Sequence, residues 1–172
     1  MTQVFLGLGS NLERKKNIQS GIDALQKVFG LLIISPVYES ESVGFKGRHF
    51  YNLVVGIDTE FALAELSETL KKIEDDNGRV RTGPKYSPRT LDIDILTYGN
   101  FVGVEAGVII PRDEITKNAF VLLPLSKIAP NELHPGLKKT YAELWSEYDK
   151  STQHLWQVEF DLTSAVAESD LS

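Results

Sequence analysis

At 172 residues, 42% hydrophobic and 24% charged, the chain has the make-up of a water-soluble globular protein and the length of one domain rather than two, so 1–172 reads as a single domain. The absence of cysteine excludes a disulfide framework, a thiolate metal site and a thiol nucleophile. A net charge of −6 argues against nucleic acid as a partner, and the lack of a signal-like start or of roughly 20 consecutive apolar residues argues against a membrane and for the cytoplasm.

In chain order, Val4-Phe5-Leu6 followed by Gly7, Gly9, Ser10 and Asn11 predicts a buried strand running into a turn. Ile18, Ile22, Leu25 and Phe29 recur at three- and four-residue spacing, which predicts an amphipathic helix ending near Gly30. Residues 31–39 read as a strand carrying Pro36, hence an edge or a bulge, and 40–49 as a loop. Residues 50–58 form a further strand. A second helix is expected from an N-cap at Thr59, with Leu63, Leu66, Leu70 and Ile73 on one face and an end by Gly78. A basic loop then leads to a strand over 90–98, closed by Gly99-Asn100.

This β-α-β-β-α-β order predicts an α+β fold of the ferredoxin-like kind. Two helices would cover one face of a mainly antiparallel sheet, leaving the other to be built over by loops. Beyond it, 108–110 suggests a short strand, 116–128 a helix bent at Pro124, and 153–162 a possible extra strand among additional C-terminal helices. Residues 163–172 read as a frayed tail.

The chemistry concentrates at Leu91-Asp92-Ile93-Asp94-Ile95. Strict alternation puts Leu91, Ile93 and Ile95 on one face and both aspartates on the other, with Cα atoms roughly 7 Å apart. Two carboxylates so placed repel each other unless a cation joins them. Magnesium prefers carboxylate oxygen and completes its shell with water and substrate phosphates. From 77 to 90 the chain carries Arg79, Arg81, Lys85 and Arg89 and no acidic residue, and guanidinium groups bind phosphate through two parallel hydrogen bonds. The residues thus point to a magnesium–polyphosphate site, with a solvated strand face and surface ion pairs as the bland alternative. Gly7-Leu8-Gly9 fails as a dinucleotide fingerprint because Leu12 stands where the third glycine belongs, and no P-loop occurs. His49, His134 and His154 lack metal-ligand spacing.

Read together, several blocks resemble the 6-hydroxymethyl-7,8-dihydropterin pyrophosphokinases of folate biosynthesis. They are Leu8-Gly9-Ser10-Asn11-Leu12, Phe50-Tyr51-Asn52, Gly78-Arg79-Val80-Arg81, Ser87-Pro88-Arg89-Thr90-Leu91-Asp92-Ile93-Asp94-Ile95-Leu96 and Ala119-Phe120-Val121-Leu122-Leu123-Pro124-Leu125. The resemblance implies transfer of pyrophosphate from ATP to the pterin hydroxymethyl group, with release of AMP. It implies that Asp92 and Asp94 ligate two magnesium ions and that Arg79 and Arg89 engage the phosphates. Glu74, Arg81, Ile95 and Arg112 would lie at the nucleotide. Asn52 would bond the pterin between Phe50 and Phe120, with Ser40, Glu41 and Val43 along its edge and Asn11 fixing the adjoining loop. The small-molecule substrates are then ATP and the pterin, and the enzyme would act as a monomer or a homodimer. Loops 40–49 and 79–87 are expected to close over ATP.

The chain departs from the family pattern at Arg112-Asp113, where a histidine is usual after Pro111, at Asn118, where an arginine is common, and at Tyr86, where tryptophan is typical. Arg112 and Lys117 are positioned in sequence to restore the missing charge. A nucleotidyltransferase releasing pyrophosphate and a non-catalytic nucleotide- or pterin-binding module are the competing readings.

Overall fold

The computed structural model describes residues 1–41, 49–78, 90–151 and 153–159. The expected roles of Val43, Arg79, Arg81, Tyr86 and Arg89, and the fraying of 163–172, lie outside the described residues.

The chain runs β1 (Thr2–Ser10), α1 (Arg14–Phe29), β2 (Ile33–Ile34), β3 (Val37–Ser40), β4 (Phe50–Thr59), α2 (Leu63–Asp76), β5 (Asp92–Tyr98) and then a small hairpin of β6 (Gly103–Glu105) and β7 (Val108–Ile110). It continues through α3 (Glu114–Lys117), α4 (Ala119–Ile128), α5 (Tyr141–Glu147) and β8 (Leu155–Val158). The main sheet has the order β5-β1-β4-β3-β8, with β2 also pairing β4, and every pairing in it is antiparallel. It is a mixed α+β fold.

Alternation along the strands divides the apolar residues between two faces. On one, Val4, Leu6, Leu8, Leu53, Val55, Ile93 and Ile95 meet Ile18, Ile22 and Leu25 of α1 and Leu63, Leu66, Leu70 and Ile73 of α2. These are the helical stripes the spacing predicts. On the other face Phe5, Val54 and Leu96 pack against Ile115, Val121, Leu122, Leu125 and Tyr141. That face is not left to loops, as the β-α-β-β-α-β reading expects, because α3, α4 and α5 bring a second apolar cluster to it.

Local departures from expectation have local causes. The strand expected over 31–39 is split: Ser35 donates its N–H to the Val54 carbonyl, while its Oγ accepts from the Val54 N–H. Pro36, which has no N–H to give the ladder, follows at the break. Thr59 does not cap α2. It ends β4 opposite Thr2, its hydroxyl accepts from the Phe61 N–H, and Ala62 takes the cap position. The helix expected over 116–128 is two helices, because Asn118 has extended backbone at φ −119, ψ 121. The β6–β7 hairpin turns on Ala106 and Gly107, both at positive φ, the backbone of a two-residue primed turn. His134 is structural: its Nδ1 accepts from the N–H groups of Gly136 and Leu137, and burial holds its pKa below the usual histidine value.

Candidate active site

The sheet register assembles the site. Tyr38 of β3 pairs with Asn52 of β4, Asn52 with Gly9 of β1, and Gly9 with Asp92 of β5. Residues directly opposite in antiparallel strands share a face. One row across four strands therefore reads Tyr38, Asn52, Gly9, Asp92. The flanking rows add Ser40 beside Phe50 on one side and Val54, Gly7 and Asp94 on the other.

The two glycines let neighbouring side chains close onto the sheet, Leu96 at Gly7 and Asn52 at Gly9. A Cβ on Gly9 would stand 2.7 Å from Asn52 Oδ1 and 3.8 Å from the Phe50 ring, so the amide and the ring both lean over that residue. Asn52 is buried and donates to Ser40 Oγ at 3.3 Å. Tyr38 is also buried, its hydroxyl without a hydrogen-bond partner among the described residues, and burial raises its pKa. Phe120, on the first turn of α4, packs against the Phe5–Val54–Leu96 cluster and so belongs to the same face. Pro124 removes the N–H that would otherwise bond the Phe120 carbonyl in a regular helix. Glu41, at the end of the described segment after β3, is exposed.

Asp92 and Asp94 occupy the edge strand of the sheet and are partly exposed, while Ile93 and Ile95 between and beyond them are buried against α1 and α2. Ile95 therefore has only its main chain to offer a nucleotide. Glu74 is buried on α2 and accepts the Ile93 N–H at 2.8 Å, which fixes the strand midway between the aspartates. Alternation carries Leu96 onto the same face as the aspartates, and a one-residue irregularity between Phe5 and Leu6 in the β1–β5 register then sets Thr97 opposite Phe5. Arg112 donates its backbone N–H to the Leu96 carbonyl at 2.8 Å, seating it beside the pair. Its Nη2 lies 3.8 Å from Asp94 Oδ1 and 2.7 Å from Glu114 Oε1. Burial would lower the Arg112 pKa, but the two carboxylates outweigh it and raise the value. The turn after β1 is fixed by Ser10 and Asn17, which both donate to the Leu12 carbonyl, with Asn11 buried between them.

The donor set suits magnesium. Asp92 and Asp94 offer hard carboxylate oxygens on one face of the edge strand. No cluster of three metal-ligating side chains occurs among the described residues, so the remaining oxygens would come from water and a phosphorylated ligand.

The sequence identifies most of these positions but not Glu114, and it gives Gly9 a place in a turn and in a matching block without a role at the site. No periodicity marks Glu114; its four-residue spacing from Asn118 is the one available sign.

Paired carboxylates thus share one sheet face with a buried amide and an aromatic ring. The family model described as 7,8-dihydro-6-hydroxymethylpterin-pyrophosphokinase matches residues 5–130. A 2-amino-4-hydroxy-6-hydroxymethyldihydropteridine pyrophosphokinase of Aquifex aeolicus is 36% identical over 149 residues, covering 86% of this chain and 92% of the relative. One of Pseudomonas aeruginosa is 37% identical over 133 residues, covering 75% and 82%. Among solved structures, an HPPK-DHPS protein of Plasmodium falciparum superposes with a TM-score of 0.68 at 16% identity, over 85% of this chain and 45% of that one. That match shows the fold alone, and the chain spans less than half of the longer protein.

The chain belongs to the 7,8-dihydro-6-hydroxymethylpterin-pyrophosphokinase family. It is an enzyme of folate biosynthesis that transfers pyrophosphate.

Proposed function

We propose that the site transfers the β,γ-pyrophosphoryl group of ATP to the hydroxymethyl oxygen of 6-hydroxymethyl-7,8-dihydropterin and releases AMP. The observation that carries this reading is the row Asn52–Gly9–Asp92. It sets a heterocycle-binding amide and a phosphate-side carboxylate two strands apart, with only a glycine between them.

Asn52 bonds the pterin edge, Phe50 and Phe120 stack on its ring, and Ser40, Glu41 and Val43 complete the border. Asp92 and Asp94 hold magnesium, two ions in this reading. When bound, magnesium neutralises phosphate charge and orients the polyphosphate. Arg79 and Arg89 supply fixed positive charge to the phosphates. Arg81, Arg112 and the main chain of Ile95 lie along the nucleotide, and Glu74 secures the strand beneath it. The pterin oxygen forms a bond to the β-phosphorus as the bond from that phosphorus to the α,β-bridging oxygen breaks. The hydroxyl proton passes to solvent and AMP keeps the bridging oxygen. Such transfers depend mainly on positioning and electrostatics, which is what a site without an evident protein base provides.

In this reading 1–172 is one domain, and the sheet is ferredoxin-like, as the order β5-β1-β4-β3 supports. The enzyme works in the cytoplasm as a monomer or homodimer, without nucleic acid. Its net charge of −6 supports the exclusion of nucleic acid; no described helix is long and apolar enough to cross a membrane.

Product analysis tests the reading. Incubation with ATP, magnesium and 6-hydroxymethyl-7,8-dihydropterin should yield AMP and the pterin diphosphate in equal amounts. Release of inorganic pyrophosphate with an adenylylated pterin would instead place the attack at the α-phosphorus and assign a nucleotidyltransferase.

A further inference from the structure

The proposed reaction leaves one buried polar atom on the site face unused. Tyr38 is 4% exposed, yet its hydroxyl meets no hydrogen-bond partner among the described residues. Its polar neighbours in the sheet register do not supply one. Asn52, opposite on β4, donates to Ser40 Oγ, and Gln157, opposite on β8, is exposed. A phenol taken out of water and given no partner in return is costly, and native structures rarely keep one without a cause.

Core packing does not supply that cause. The buried tyrosines Tyr51 and Tyr141 each lie in one of the two apolar clusters, whereas Tyr38 belongs to neither. Phenylalanine would fill a purely apolar position at lower cost, with the same ring and no hydroxyl to desolvate. The place of Tyr38 on the face is informative instead. Side chains stand roughly perpendicular to a sheet, and Tyr38 is the longest in the row Tyr38–Asn52–Gly9–Asp92. Its oxygen therefore ends above the strands, beside the Asn52 amide. It lies on the side covered by α4, which packs over β3 and β4 and carries Phe120 on its first turn. Burial raises the Tyr38 pKa, so the phenol keeps its proton and can both donate and accept.

We propose that Tyr38 is a further substrate-binding residue: its hydroxyl makes a hydrogen bond to the polar edge of the pterin, next to the bond from Asn52. The proposal deepens the pterin reading of this face and rests on it. A flat heterocycle between Phe50 and Phe120 carries donors and acceptors around its rim, and either kind satisfies a phenol. The same atom makes the site selective, because a ligand with only carbon at that edge would leave the hydroxyl buried and unsatisfied.

Tyr38→Phe tests this, because affinity should fall while stability does not. Isothermal titration with 6-hydroxymethyl-7,8-dihydropterin, in the presence of magnesium and a non-hydrolysable ATP analogue, should show about 10-fold weaker binding than in the unmodified enzyme, the order of one hydrogen bond. Affinity for the analogue alone should stay within about twofold. The melting temperature of the nucleotide-free enzyme should hold or rise, since an unsatisfied hydroxyl is removed and no bond within the protein is lost. Unchanged pterin affinity in Tyr38→Phe overturns the proposal and leaves the pterin reading intact. A matching loss for the analogue overturns it as well, by marking a shift of the sheet. So does a lowered melting temperature or a failure to fold, which would show that the hydroxyl is bonded within the protein. If the unmodified enzyme binds no pterin, the reading of the face fails and the role of Tyr38 falls with it.

Discussion

Asp92→Asn and Asp94→Asn are each expected to lower kcat/KM for pterin pyrophosphorylation by about 10^3-fold, ~4 kcal/mol of transition-state stabilisation. Asparagine keeps the size and one oxygen of aspartate but removes its charge, so it tests charge rather than shape. Each variant leaves a weakened cation site against a polyphosphate that still needs neutralising. Folding should survive in both. The aspartates are partly exposed, whereas the residues that hold β5 in place, Leu91, Ile93 and Ile95, are buried on the opposite face. Asp94→Asn also removes the second carboxylate facing Arg112, so it should shift nucleotide affinity more than Asp92→Asn. Steady-state kinetics with thermal melts measure both effects. Near-normal turnover in both variants would remove the pair from the catalytic site.

Gly9→Ala should raise KM for the pterin by about 10-fold, the order of one lost or misplaced buried hydrogen bond, with little change in stability. The added Cβ would meet Asn52 Oδ1 at 2.7 Å, too close for any real contact. The clashing atom is the end of a side chain, which can swing away, so the fold adjusts. That adjustment costs the site its amide: Asn52 loses the orientation it holds beside Ser40. The Phe50 ring at 3.8 Å meets the methyl at ordinary contact distance. Affinity for a non-hydrolysable ATP analogue should stay within about twofold, because Asp92 and Asp94 lie on the other side of Gly9 in the sheet. Isothermal titration with pterin and with the analogue separates the two ligands. A parallel fall in both would mean that β1 itself had moved.

The helical stripes and the β5 alternation are legible in the sequence because each is a local period that burial enforces. Ile18, Ile22 and Leu25, or Leu66, Leu70 and Ile73, can face the sheet in only one way. The aspartate pair is legible for the same reason, since Ile93 fixes the opposite face. What the sequence hides is set by tertiary contact. The break at Asn118 depends on its extended backbone, and its side chain is engaged by Glu114 and Gln153. Neither contact leaves a trace in spacing. The second apolar cluster is hidden because α5 arrives from a region with weak periodicity, although Thr140 and Glu143 form a capping box that the Thr-x-x-Glu spacing would have announced. Gly9 is hidden because its role is to lack a side chain where Asn52 leans over the strand. Only the register, which places Asn52 and Asp92 on either side of it, shows what a side chain there would displace.

Anomalous diffraction from crystals grown with Mn2+ and a non-hydrolysable ATP analogue tests most directly whether Asp92 and Asp94 hold metal ions against the phosphates of ATP. An anomalous peak within coordination distance of carboxylate oxygens from both residues, and bridging to the analogue's phosphates, is the result expected. An ordered analogue with no anomalous peak at either aspartate would contradict it.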